Sequence, residues 1–181
     1  YRELRVELEH KGHVFKSDSD TEVVIHLYEE EGIRAVEKLN GMFAFALFDG
    51  KAGRLWACRD RLGIKPFYYC ITDQQLWFAS EIKALKQVNP QSFALNTGLI
   101  DQYMSFGYVP GENTLFSGVK RLLPGHQAVY RPNQHQLSIS RYWDLPDQTE
   151  QDQGLDHYAT SGKALINSAI DLRLRSDVPL G

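Results

Sequence analysis

The side chains best suited to chemistry fall in three groups. The first is the run Ser19-Asp20-Thr21-Glu22. Two carboxylates there could hold a cation or an ammonium, but the same pattern marks a helix start. Ser19 is a natural cap, Glu22 three residues on can reach back to close a capping box, and Asp20 sits where the helix dipole favours an acid. Residue types alone favour that local role for Asp20. The second group is Arg59-Asp60-Arg61-Leu62-Gly63-Ile64-Lys65-Pro66. Gly and Pro mark it as a loop, and a solvated charged loop accounts for it. The third group holds the thiols and imidazoles. Cys58 and Cys70 are the only cysteines, too few for a disulfide framework or a zinc cluster. Neither is close to a His in sequence, and Cys58 alternates with Trp56, as a small buried apolar residue would. His10 and His13 are three apart near a helix end and lack further ligands, so no metal site is expected. Glu81 reads as a helix cap, and Tyr68, Tyr69, Trp77 and Phe78 read as core.

The elements that must position these groups are legible from periodicity and turn signals. Tyr1–Glu9 is predicted helical, with Leu4 and Leu8 one turn apart, and Val14-Phe15 is predicted as a short strand. A helix opens at Ser19 with Val23, Val24, Leu27 and Tyr28 as its stripe, stops at Gly32, and is followed by a short helix over Ile33–Leu39. From Asn40 to Leu85 the apolar runs are short, rich in aromatic residues and bounded by Gly, Asp or Pro, which predicts strands and tight turns. Met42–Phe48 is apolar at odd and even positions alike, so both of its faces should be covered. A second sheet on one side and helices on the other would cover them. Phe67–Ile71 and Gln75–Ala79 are predicted to form a hairpin around Thr72-Asp73-Gln74. Helices are expected over Glu81–Val88 and Asn96–Phe106, with Leu99, Ile100 and Tyr103 on one side of the latter. Leu123-Pro124-Gly125-His126 is a turn, and Gln127–Arg131 with Gln136–Tyr142 forms a second hairpin. Asp144–Gly154 is polar and acidic and reads as a linker, Leu155–Arg173 as a helix, and Arg175–Gly181 as extended chain.

The chain has 181 residues and a formal net charge of -3, with no basic stripe, so nothing attracts it to nucleic acid. Its longest apolar run is seven residues, too short to span a bilayer as a helix, and no secretory signal is visible. Reduced thiols fit a cytoplasmic protein.

Six strings resemble the glutamine-hydrolysing asparagine synthetases in order and spacing. They are Ser19-Asp20-Thr21-Glu22-Val23, Gly41-Met42-Phe43-Ala44-Phe45-Ala46, Arg59–Pro66, Phe78–Leu85, Leu123-Pro124-Gly125-His126 and Arg175–Gly181. The first four are typical of class II glutamine amidotransferases, and the last two point to the asparagine synthetase branch. The resemblance implies an α+β fold: a four-layer αββα N-terminal-nucleophile glutaminase domain over residues 1–143, truncated at its start. A linker over 144–154 would follow, and then the first helix of an α/β ATP-pyrophosphatase-type synthetase domain over 155–181.

The implied chemistry has two halves. An N-terminal Cys attacks the glutamine amide with its own α-amine as base, and ammonia then reaches β-aspartyl-AMP made with ATP and Mg²⁺. Residue one here is Tyr1, so the resemblance puts the nucleophile and an Asn-Gly oxyanion pair before Tyr1. It puts the Ser-Gly-Gly-x-Asp-Ser pyrophosphate loop after Gly181. The segment alone is then expected to be inactive, and its uncovered sheet edges would hinder independent folding. Asp20 is implied to hold the glutamine α-ammonium. Arg59, Asp60 and Lys65 are implied to lie by the glutaminase pocket and the ammonia route. The implied partners are glutamine, aspartate and ATP, with no nucleic acid and no membrane. A homodimer is left open.

Phe67 is a harmless apolar swap, Leu122-Leu123-Pro124 stands where Leu-Pro-Pro is common, and Gly111-Glu112-Asn113 after Tyr108-Val109-Pro110 departs from the commoner family residues and leaves the acceptor unsettled. Two alternatives therefore stand beside asparagine synthesis: an asparagine-synthetase-like amidotransferase with another acceptor, and a catalytically silent scaffold domain.

Overall fold

A computed structural model describes residues 1–88, 90–146 and 152–174. The chain divides into two units, Tyr1–Asp144 and Leu145–Gly181.

The first unit is built on two antiparallel sheets. One has the order β1-β2-β6-β7, with β1 Ala44–Asp49, β2 Arg54–Arg59, β6 His126–Arg131 and β7 Gln136–Arg141. The other has the order β4-β3-β5, with β3 Tyr68–Thr72, β4 Gln75–Ala79 and β5 Lys120–Arg121. Strand periodicity assigns each residue to a layer. On β2, Trp56 and Cys58 face a cluster made by α1 (Arg2–His10), α2 (Asp20–Glu31) and the 3₁₀ helix Gly32–Lys38, through Leu8, Val23, Leu27, Ala35 and Val36. Ala57, between them, faces the other sheet with Ala44, Ala46 and Ala128, and meets Phe67, Tyr69, Leu76 and Leu122. On the outer face of the second sheet Cys70 packs against Leu85 of α3 (Ile82–Val88) and Val119. The layer sequence is helix, sheet, sheet, helix, an α+β arrangement.

Met42–Phe48 was expected to be covered on both faces, and its central residues are. Phe43, Phe45 and Leu47 join the helical cluster, while Ala44 and Ala46 join the inter-sheet cluster. Met42 and Phe48 remain exposed, because β1 is an edge strand and they lie at the ends of the run. Trp56 is fully buried, and its indole N–H donates to Gln127 Oε1 at 2.8 Å.

Several local expectations need correction. Val14-Phe15 forms no strand: Val14 is exposed, and Phe15 packs inward on the helical cluster with no strand beside it. Asn96–Phe106 is two pieces, a 3₁₀ turn Thr97–Leu99 and α4 Ile100–Phe106, and the Asn96 side chain accepts no capping hydrogen bond. α4 buries none of its residues, so the stripe of Ile100 and Tyr103 is not a core face. Trp77 and Phe78 are only partly covered, since β4 is also an edge strand, although Phe78 stacks on Phe67 at 5.5 Å.

The β3–β4 turn needs only Asp73 and Gln74. Both have positive φ, 50° and 61°, the geometry of a type I′ hairpin without glycine. Gln74 C=O accepts from Tyr130 Oη at 2.5 Å and lies 3.0 Å from His135 Nδ1, which fastens this turn to the β6–β7 hairpin of the other sheet.

In the second unit α5 spans Leu155–Arg173. Its first turn is braced by Tyr158 Oη, which accepts from Gln153 N at 3.1 Å. Residues 147–151 of the expected linker and the expected extended stretch Arg175–Gly181 lie outside the described residues.

Replacing Gln127 with Leu should leave the buried Trp56 indole N–H without an acceptor. The expected loss, read by urea unfolding, is about 1–3 kcal/mol with an unchanged m-value.

Candidate functional site

Asp20 opens α2 and is exposed. Among the described residues its carboxylate makes no hydrogen bond or ion pair. Ser19 caps the helix as expected, its Oγ accepting from Thr21 N at 3.2 Å. Glu22 does not close the expected capping box. Its carboxylate instead accepts from Lys16 N and Ser17 N, both at 2.8 Å, and from Ser17 Oγ at 2.5 Å. The chain between α1 and α2 folds back over the first turn of α2, so these donors reach Glu22 before Ser19 N can. With the Ser17 hydroxyl as the largest cause and the Lys16 amide next, the Glu22 carboxyl is drawn down from 4.5 to about 2. Arg5 holds the same loop from the other side, through Ser17 C=O at 2.8 Å, Asp18 at 3.2 Å and the face of Phe15. The loop is therefore tied at several points, and the side chain it leaves unengaged at the helix start is Asp20.

The Arg59–Lys65 loop is organised differently. Asp60 is 1% exposed, yet every contact of its carboxylate is to backbone. Oδ1 accepts from Leu62 N at 3.2 Å and Ile64 N at 2.9 Å, and Oδ2 accepts from Lys65 N at 2.9 Å. Its own amide donates to Phe43 C=O, and its carbonyl accepts from Gly63 N and Gly125 N. Arg59 sends its guanidinium to three carbonyls, Lys65 at 2.8 Å, Leu122 at 2.7 Å and Gly63 at 2.7 Å. Arg61 does the same with Leu39 and Glu37. Gly63 has φ +66°, and a Cβ there would meet Pro124 Cγ at 2.8 Å, so the tight turn requires glycine. Arg59 and Asp60 are thus brought together with the backbone of Lys65, whose side chain is exposed. Among the described residues no hydrogen bond or ion pair joins Asp20 to this loop.

Both thiols are buried, and burial pushes Cys58 well above the ordinary thiol range and raises Cys70. A deprotonated, nucleophilic sulfur is disfavoured at either position. Sequence reasoning paired His13 with His10. The structure instead sets His13 against His26 and Glu29 of α2, while His10 is exposed. The missed signal was the three-residue spacing of His26 and Glu29 on one helix face.

Because the Glu22 carboxyl is lowered on folding, its contribution is present above the ordinary carboxylate value and lost as pH falls from 4.5 toward 2. Protection of the Lys16 and Ser17 amides, their exchange measured against the intrinsic rate at each pH, should fall in that window. In Glu22→Ala, which has no acceptor, those amides should lack this protection at every pH, with no step.

Residues 1–143 match the glutamine amidotransferase domain family. Asparagine synthetase [glutamine-hydrolyzing] 1 of Bacillus subtilis (strain 168) is 39% identical over the whole chain, which spans 28% of that relative. Amidase chyE of Penicillium rubens is 36% identical over 92% of the chain and 24% of its own length. Among solved structures, the glutamine phosphoribosylpyrophosphate amidotransferase of B. subtilis aligns with a TM-score of 0.54 at 18% identity, over 78% of this chain and 26% of that one, and so supports the fold alone. Four layers with two facing antiparallel sheets, and a family match covering all but the last residue of the first unit, lead to one assignment: this chain belongs to the glutamine amidotransferase domain family.

Proposed function

We propose that this chain is the glutamine-handling part of an ATP-dependent, cytoplasmic asparagine synthetase, supplying ammonia to an activated aspartate. The 39% identity to a glutamine-hydrolysing asparagine synthetase over the full chain is the observation that carries this. In this reading Asp20 holds the α-ammonium of glutamine. A carboxylate held in place at a helix start and left unengaged by its own loop is suited to that, since charge-assisted hydrogen bonds are the strong kind. Arg59 and Asp60 give the neighbouring loop its shape. Of the residues expected along the ammonia route, Lys65 has an exposed side chain to contribute. Neither Cys58 nor Cys70 serves as the attacking thiol, a role the family assigns to an N-terminal Cys. ATP and Mg²⁺ would serve the synthetase chemistry, and none of the 181 residues is assigned to them. Residues 144–154 would link this domain to the start of the synthetase domain at 155–181.

A second acceptor is supported by one observation. An amidase matches 92% of the chain at 36% identity, only slightly below the synthetase. The glutamine half would be common to both, and the acceptor would differ.

In the parent enzyme, Asp20→Asn should raise KM for glutamine about 10- to 100-fold, the loss of one charge-assisted bond, and leave ammonia-dependent synthesis unchanged. Steady-state kinetics with the two nitrogen donors checks this, and equal loss with both would refute it. Aspartate-dependent release of AMP separates asparagine synthesis from transfer to another acceptor.

A further inference from the structure

The joint between α1 and α2 gathers three donor atoms around one point. His13 Nδ1 and His26 Nδ1 are 3.1 Å apart. His26 Nδ1 is 2.8 Å from Glu29 Oε2, and His13 Nδ1 is 3.5 Å from the same oxygen. We propose that His13, His26 and Glu29 form a binding site for a divalent transition-metal ion of the zinc class.

Protons alone leave one edge of this triangle unpaired. A ring nitrogen is either donor or acceptor, and a carboxylate oxygen accepts unless it is itself protonated. Three atoms in mutual contact cannot alternate donor and acceptor around a three-membered cycle. If both imidazoles donate to Glu29, two N–H groups face each other across 3.1 Å; if the His26 N–H is shared between His13 Nδ1 and Glu29, the two short contacts are met and the remaining edge sets two acceptors 3.5 Å apart. A single cation accepts all three lone pairs at once.

The dimensions also suit an ion. With metal bonds of about 2.0–2.1 Å, ligand atoms of a tetrahedral site lie about 3.3 Å apart, and an ion equidistant from these three atoms sits about 0.9 Å out of their plane. The outer contacts are those of a metal-binding histidine. His13 Nε2 is 3.1 Å from Glu30 Oε1, which holds the distal N–H and leaves the Nδ1 lone pair facing the site. Glu30 is in turn 3.5 Å from Lys11. His26 Nε2 is buried without a hydrogen-bond partner, and Glu22 Oε1 lies 3.6 Å from it. Phe15 packs edge-on against the His26 ring at 4.7 Å. The two imidazole side chains are 15% and 16% exposed, whereas Glu29 is 55% exposed and leaves an approach from solvent for a fourth, water ligand. Two imidazoles and a carboxylate, with no thiolate, suit zinc, nickel or copper better than magnesium or calcium.

The test uses the full chain, stripped with chelator, and needs no glutamine. Zn²⁺ should bind with one-to-one stoichiometry by calorimetry, Co²⁺ should develop visible ligand-field absorption, and Zn²⁺ should raise Tm. His26→Gln and Glu29→Gln should each weaken binding at least about tenfold, the scale of losing one ligand contact. His10→Gln, at an exposed position nearby, should leave binding unchanged. Glu29 is the more exposed ligand, so Glu29→Gln with a native circular dichroism spectrum carries the test if His26→Gln does not fold. Absence of saturable binding, or binding that survives Glu29→Gln, overturns the proposal.

Discussion

Four alanines set the distance between the two sheets. Ala44, Ala46, Ala57 and Ala128 line one inner face, and Phe67, Tyr69, Leu76 and Leu122 fill the space they leave. Sheets pack face to face about 10 Å apart, and small residues opposite large ones let the two layers interdigitate without voids. Everything outward follows from that spacing. Strand alternation turns Trp56 and Cys58 toward α1 and α2 on one side, and Cys70 toward α3 on the other. A larger residue at Ala57, 2% exposed on a central strand, would push the layers apart and disturb both outer packings at once.

The loop after β2 shows how charge serves architecture here. Asp60 and Arg59 are charged groups spent entirely on backbone: one satisfies amides of its own turn, the other satisfies carbonyls at 63, 65 and 122. Unpaired polar backbone is costly when water is excluded, and a carboxylate accepting several amides satisfies many groups with one side chain. The same loop meets Phe43 before β1 and Gly125 before β6, so it joins the entries of two strands of the four-stranded sheet.

The fold was largely legible from residue order. The doubly apolar run at Met42–Phe48, the hairpin signals and the capped start at Ser19 carried the stacked sheets and their helical cover, and the fourth layer came through the resemblance. What the residues did not show has physical causes. Edge position exposes Met42, Phe48, Trp77 and Phe78, and strand order is a long-range property that local periodicity does not contain. Glu22 has the spacing of a capping box, but a returning loop supplied nearer donors. The inward turn of Arg59 and Arg61 was hidden because their targets are carbonyls, which every residue has. Asp20 was singled out through resemblance, since its residue type fits a helix start equally well. The meeting of His13 with His26 depends on how two helices cross, and spacing along the chain is silent on that.

The Gln74 carbonyl has a wider effect than closing its hairpin. It accepts from Tyr130 on the opposite sheet, at the far end of the sandwich from the Arg59 contacts. Two fastenings at opposite ends oppose sliding of one sheet over the other, where apolar packing by itself has no directional restraint. The two sheets are thereby fastened to each other at both ends, whereas α4, which buries nothing, can fray without disturbing them.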